Sequence, residues 1–266
     1  MHAAARRFRG IIAYEGSAYQ GFQRQADGIP TIQGAVETAI HRVTGQPATV
    51  TGAGRTDTGV HAAGQVIAFD SAWKHDDQAL LRALNVHLPG DIALLRLERL
   101  PEGTRFHPRF DAVSRFYSYH IVVSPAPRLP LAARMAWHVR EPLDAEAVRA
   151  AAHRLTGTHD FGAFGHAPHG ENTVRTVIES TWEPGRTAEV GGHRLDEWWY
   201  HVEANAFLQH MVRRIVGSLV DVGRGARSLD DFVRHFQGGK LASHWTTAPP
   251  QGLTLVRVRY PDAVQE

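Results

Sequence analysis

There is no cysteine anywhere in the 266 residues, which excludes disulfides, thiolate metal centres and a cysteine nucleophile together. No apolar run approaches the ~18 residues that span a bilayer, so a membrane protein is not expected. Lysine is nearly missing as well: of 29 Lys and Arg residues, only Lys74 and Lys240 are lysine. Arginine's planar fork suits phosphate and stacks on bases, although a base-composition bias in the genome accounts for the preference equally well. A formal net charge of +2 permits a nucleic-acid partner without arguing for one. The basic start MHAAARRFRG has no apolar signal segment behind it, because GIIAYEG reads at once as a strand. The expected location is the cytoplasm. What is present, 43% hydrophobic and 21% charged residues, describes a globular chain able to bury a real core. Its length suits one large domain or two ordinary ones.

Hydrophobic periodicity divides the chain into two similar halves. In the first, a strand near residues 8–14 is followed by a polar loop, EGSAYQGFQRQADG. TIQGAVETAIHRVTG then places Ile32, Ala35, Val36, Ala39, Ile40 and Val43 on one helical face, with Gly45 as a stop. ATVTG and QVIAF read as strands, DDQALLRALNVHLPG as a helix with Leu80, Leu81, Leu84 and Leu88 inward, and DIALLRLERL as a strand. The order is βαββαβ. SRFYSYHIVV, a helix with Asp144 near its start, TVRTVIESTW, EWWYHVEANAF, the long helix FLQHMVRRIVGSLVDVG, a shorter helix LDDFVRHFQGG and the strand LTLVRVRY repeat it. GHAPHGENTVR is expected to be a loop. The predicted class is α+β: two ferredoxin-like halves, residues 1–108 and 109–266, with a mostly antiparallel sheet, helices on one face and a cleft between the halves.

The chemistry concentrates in GAGRTDTGVHA, residues 52–62, where Arg55 and Asp57 stand among glycines. A dinucleotide loop would open into a helix, but here a strand follows a short polar bend. A Walker A loop lacks its Gly-Lys-Ser/Thr, and a serine hydrolase its G-x-S-x-G elbow. The 17 histidines offer no metal-binding spacing such as HExxH; His61 follows Asp57 by four, and His166 and His169 share a loop without a convincing third ligand. Neither a metal nor a cofactor is expected. What remains is Asp57 itself as base or nucleophile, against the plain alternative that Asp and Gly suit tight turns. On pattern alone the two readings are balanced.

GAGRTDTGVHA closely resembles the active-site motif of the tRNA pseudouridine synthase A family, GRTDxGVH. The resemblance continues through YEGSAYQGFQRQ, HLPGDIAL, FHPRFDAVSRFYSY (the family's FHxRF…RxYxY), ANAFLQHMVRRIVGSLVDVG and TAPPQGLTLVRV, and so covers nearly the whole chain. It implies isomerisation of uridine to pseudouridine in the anticodon stem-loop of tRNA: the C1′–N1 bond breaks, the base turns and C1′ joins C5. It implies Asp57 as the essential carboxylate and Arg55 as the side chain that displaces the target base. Arg213 would be the counter-ion, Tyr117 the ring that stacks on uracil and Leu253 part of the pocket wall. A cation keeps a partly buried carboxylate charged; at ~4 Å it is worth on the order of 4 kcal/mol at an effective dielectric near 20, before desolvation. Gln23, Arg24 and Arg109 are candidate phosphate contacts, His61 a further substrate contact, and a homodimer the expected assembly. Departures are modest: Thr58 for the commoner alanine, Phe22 for a tryptophan (an aromatic surface kept), and a second proline in TAPPQGL. A non-catalytic RNA-binding protein is the second hypothesis, a nucleotide-dependent enzyme the third.

Overall fold

The computed structural model describes residues 5–26, 28–127, 129–167, 170–242 and 244–261. Alternation in RRFRGIIAY makes β1 (Arg6–Tyr14), which sends Phe8 and Ile12 to one face and Arg9 and Ile11 to the other. Helix α1 (Ile32–Thr44) starts where the Thr31 hydroxyl accepts the Gly34 N–H at 3.2 Å and stops where Gly45 turns left-handed at φ 72°. Strands β2 (Thr51–Gly52) and β3 (His61–Ser71) follow, then α2 (Asp77–His87), capped by Asp76, and β4 (Ile92–Arg99). The strand order is β4-β1-β3, and β2 and the closing strand β10 (Leu253–Arg259) both pair with β3. Phe8 stacks on Phe69 at 5.5 Å in one core layer. The opposite layer gathers Ala53, Val66, Ala68, Leu100, Phe106 and Tyr260. Here Arg9 is tied to Glu98 and lies 5.5 Å from the centre of the Phe106 ring.

The second set of elements is β5 (Ser114–Val123), β6 (Trp137–Val139), α3 (Ala145–His153), β7 (Gly157–Asp160), β8 (Val174–Val190), β9 (His193–Ala204), α4 (Met211–Gly223) and α5 (Leu229–Gln237). Their strands run β5-β9-β8-β7, with β6 parallel to β5 and the other pairings antiparallel. The stripe Met211, Val212, Ile215, Val216 and Leu219 on α4 is fully buried. Residues Met1–Val113 and Leu255–Glu266 form one compact unit and Ser114–Thr254 a second. The sequence assigns all of 109–266 to the second half; most of the closing strand instead packs with the first. The class is mixed α and β with mostly antiparallel strands, as expected.

Several boundaries differ from expectation for identifiable reasons. The strand read in ATVTG shrinks to two residues because the Val50 N–H is captured at 2.9 Å by the buried Glu37 carboxylate. The hairpin of β8 and β9 runs well past Trp182, turning at Gly191 and Gly192 with φ of 59° and 75°. Helix α4 begins at Met211, not Phe207, since His210 takes a left-handed φ of 63° just before it. In the loop GHAPHGENTVR, His166 bridges to Gln209, while His169 lies outside the described residues.

An aromatic cluster of Phe161, Phe164, Phe232 and Phe236 anchors α5, with His235 stacked on Trp245 at 4.7 Å. Burial, then the neighbouring His244, pushes His235 down to about 4. Unfolded histidine titrates near ~6.5, so this group's contribution is complete above that pH and is lost as pH falls towards 4. The unfolding temperature is therefore expected to drop across that window. A His235→Phe variant should drop measurably less, which scanning calorimetry at paired pH values checks.

Candidate active site

Between Ala53 and Val60 the backbone is neither helix nor strand, yet neighbours hold it along its length. The Ala53 N–H donates to Val66 O at 2.8 Å, and Gln65 Nε2 donates to Gly54 O at 2.8 Å. The Thr56 carbonyl accepts the Phe22 N–H at 3.1 Å, and the Asp57 carbonyl accepts the Val60 N–H at 3.1 Å. The Thr56 side chain turns inward, where its hydroxyl meets the Tyr14 hydroxyl at 2.8 Å. Burial pushes the Tyr14 phenol up to about 12, so it stays protonated. With Thr56 inward, its neighbours alternate outward: Arg55 is exposed and Asp57 half-buried. The motif thus carries Arg55 and Asp57 on a pinned stretch whose closing turn, Asp57 to Val60 with Gly59 at φ 77°, leads into β3 at His61.

The polar loop before α1 is the other wall of this support. Its glycines are required by proximity: a Cβ at Gly16 would sit well inside contact of Val60 O, and one at Gly21 would lie 2.8 Å from Thr56 O, at a φ of 88°. A Cβ at Gly52 would strike the Phe22 ring at 2.5 Å. Phe22 is therefore buried, only 3% exposed, and is a packing residue and not the aromatic surface expected. His61 is 1% exposed and its Nδ1 accepts the Gly16 N–H at 3.0 Å, so the ring ties the two loops together. Thr58 is exposed, with its hydroxyl towards Gln20. Gln23 is exposed, and Arg24, also exposed, pairs with Glu37 at 3.1 Å. Arg109 lies over the Phe110 ring at 5.9 Å.

In the second unit, Tyr117 on β5 is 8% exposed and meets Phe207 edge-on at 5.1 Å. Arg213 is half-buried; its Nε donates to Ala248 O at 2.8 Å and its carbonyl accepts the Ala248 N–H at 3.0 Å. One and two turns further on, Gly217 and Asp221 continue the same grip. Gly217 has Thr246 O against its Cα, and Asp221 accepts the Thr246 N–H at 2.9 Å and its hydroxyl at 2.7 Å. Tyr119 is raised by burial, with Arg213 opposing, and donates to Pro249 O at 2.7 Å. Leu253, 5% exposed, follows the 3-10 turn Pro250–Gly252, in which the second proline takes the first position. Arg214 has its Nη1 within 3.4 Å of Phe164 O and is half-buried.

Sequence reasoning did not find Tyr14, Thr56, Gln65 or Asp221. Tyr14→Phe should cost about 1–3 kcal/mol by leaving the Thr56 hydroxyl unpaired in a buried place. Thr56→Val should cost a similar amount. The double variant should cost less than their sum by about 1 kcal/mol, which urea denaturation of all four proteins measures.

Among the described residues no three His, Asp or Glu side chains converge to hold a metal, and no helix is long and apolar enough to cross a membrane. Arg55 and Asp57 stand two residues apart on this pinned loop, and a carboxylate is a residue type that acid–base and nucleophilic chemistry use. Residues 11–111 and 151–261 match the family model described as tRNA pseudouridine synthase. The tRNA pseudouridine synthase A of Neisseria gonorrhoeae (strain NCCP11945) is 40% identical over 98% of this chain and 94% of its own. Those of Chloroflexus aurantiacus (strain ATCC 29366) and Syntrophotalea carbinolica are 42% and 41% identical, each over 94% of this chain and over 87% and 94% of their own lengths. The chain belongs to the tRNA pseudouridine synthase family.

Proposed function

We propose that the protein isomerises uridine to pseudouridine within tRNA, in the anticodon arm, with Asp57 as the reactive carboxylate. The observation that carries this reading is the pinned Arg55–Thr56–Asp57 segment inside a family match spanning both units. Breaking C1′–N1 and C5–H and forming C1′–C5 and N1–H moves atoms without oxidation or hydrolysis, which suits a positioned carboxylate, able to relay the proton, with aromatic and cationic support. Arg55, exposed next to Asp57, takes the place of the displaced base in the RNA stack. Tyr117 supplies a ring for the extruded uracil, Leu253 an apolar wall and Arg213 the cation; its Ala248 anchor fixes the guanidinium's direction. Gln23, Arg24 and Arg109 serve as phosphate contacts. His61 acts on substrate through the loop it braces. The enzyme works in the cytoplasm as a homodimer, for which light scattering should give twice 29.4 kDa.

Chemical mapping of pseudouridine in unmodified tRNA treated with the pure protein tests the proposal. New pseudouridine confined to the anticodon arm is the expected result. Tight binding without any new pseudouridine would favour the non-catalytic RNA-binding reading instead.

A further inference from the structure

We infer that the segment following β4 carries a second RNA-contacting surface, in which Phe110 stacks on an unpaired base and Arg105 holds an adjoining phosphate. This rests on the reading of the chain as a tRNA enzyme, but its residues are separate from the Asp57 loop. Phe110 is 75% exposed, although the turn that bears it is tightly built. The His107 N–H donates to Asp111 Oδ2 at 2.9 Å and the Asp111 N–H returns to His107 O at 3.1 Å. His107 Nδ1 lies 3.2 and 3.3 Å from the N–H groups of Arg109 and Phe110, and the buried Tyr260 hydroxyl donates to Pro108 O at 2.7 Å. A ring held outward by that many fixed contacts is displayed, not frayed.

The ring's surroundings choose its partner. The His107 ring packs against Phe110 at 4.3 Å, and the Arg109 guanidinium lies 5.9 Å from the Phe110 centroid. His107 also lines a groove of about 440 Å³, shared with Arg6, Arg7 and Arg105 and with Asp70 and Glu102. Both carboxylates are spoken for, Asp70 by Arg7 at 3.1 Å and Glu102 by Arg6 at 3.7 Å, while Arg105 is exposed. Asp111 is likewise engaged by the His107 N–H. An exposed aromatic face whose His107 neighbour shares a groove with an exposed arginine fits a base and its phosphate.

Equilibrium binding of unmodified tRNA at several salt concentrations, with pseudouridine formation measured in parallel, tests the inference. Phe110→Ala should weaken binding and raise KM about tenfold with kcat at saturating tRNA unchanged, and Phe110→Trp should restore both. Arg105→Gln should flatten the slope of log K against log salt by roughly 0.7–0.9, the share of one phosphate contact. Phe110→Ala binding within twofold of the parent would overturn the surface while leaving the enzyme reading intact, as would loss of a dimer in that variant with tRNA affinity per protomer unchanged. The converse, a tenfold binding loss in a protein whose parent forms no pseudouridine, would uphold the surface and reject the enzyme reading.

Discussion

Asp57→Asn should bind tRNA within several-fold of the parent and make no measurable pseudouridine in a standard assay. The substitution keeps size and hydrogen-bonding shape, and its backbone anchors, Thr56 O to the Phe22 N–H and Asp57 O to the Val60 N–H, are main-chain bonds that the change leaves untouched. The loss therefore reports the charge. Its depth also separates two roles. If the carboxylate acts only as a proton acceptor, roughly 10²–10⁴-fold should disappear and a residual rate should survive. If it bonds to the substrate, the amide has nothing to offer and the rate falls to background. Single-turnover measurement on excess enzyme distinguishes these outcomes, and full activity in Asp57→Asn would remove Asp57 from the chemistry.

Gly217→Ala should be the most damaging single methyl in the second unit. Gly217 lies on α4 one turn from Arg213, and any Cβ there meets the Thr246 carbonyl well inside contact distance, with Ala248 N at 3.1 Å. Neither neighbour is a flexible side-chain tip; both are main chain, pinned by Asp221 and Arg213. Overpacking of this kind costs about 3 kcal/mol, the upper part of the usual range. At ~2–4 °C per kcal/mol the midpoint should fall by roughly 6–12 °C. Because Ala248 O is also the acceptor of the Arg213 Nε, turnover should fall even well below the new midpoint. Gly90→Ala, where a Cβ meets nothing within 4 Å, is the control and should stay within about 0.5 kcal/mol of the parent. Equal midpoints for the two variants would show that α4 yields to the extra methyl.

How much of this was readable in advance follows from how local each signal is. Thr31 and Gly45 bracket α1, and Asp144 opens α3 by accepting the Glu146 and Ala147 N–H groups, all within a few residues. Such caps are written in short words. The shortening of β2 depends on Glu37, thirteen positions away from Val50 and on the helix, and no local pattern announces it. The site divides the same way. Arg55 and Asp57 stood out because glycines surround them, whereas Thr56 looks like any turn threonine until Tyr14, 42 residues earlier, is found against its hydroxyl. The motif alone suggests a substrate contact for His61, while its ring is enclosed and braces Gly16. The grip of α4 on the segment 246–248 repeats at Arg213, Gly217 and Asp221, a fourfold spacing that the apolar stripe beside it conceals.

Because the Ala53–Val60 stretch is stitched to β1, β3 and the loop ahead of α1, it has no private way to melt. Its amide bonded to a neighbouring element, that of Ala53 on Val66 O, should trade its proton with solvent only when the entire N-terminal unit opens. Warming would then switch the reactive acid off all at once together with the fold around it, with no range of temperature in which a slack loop idles on a sound body.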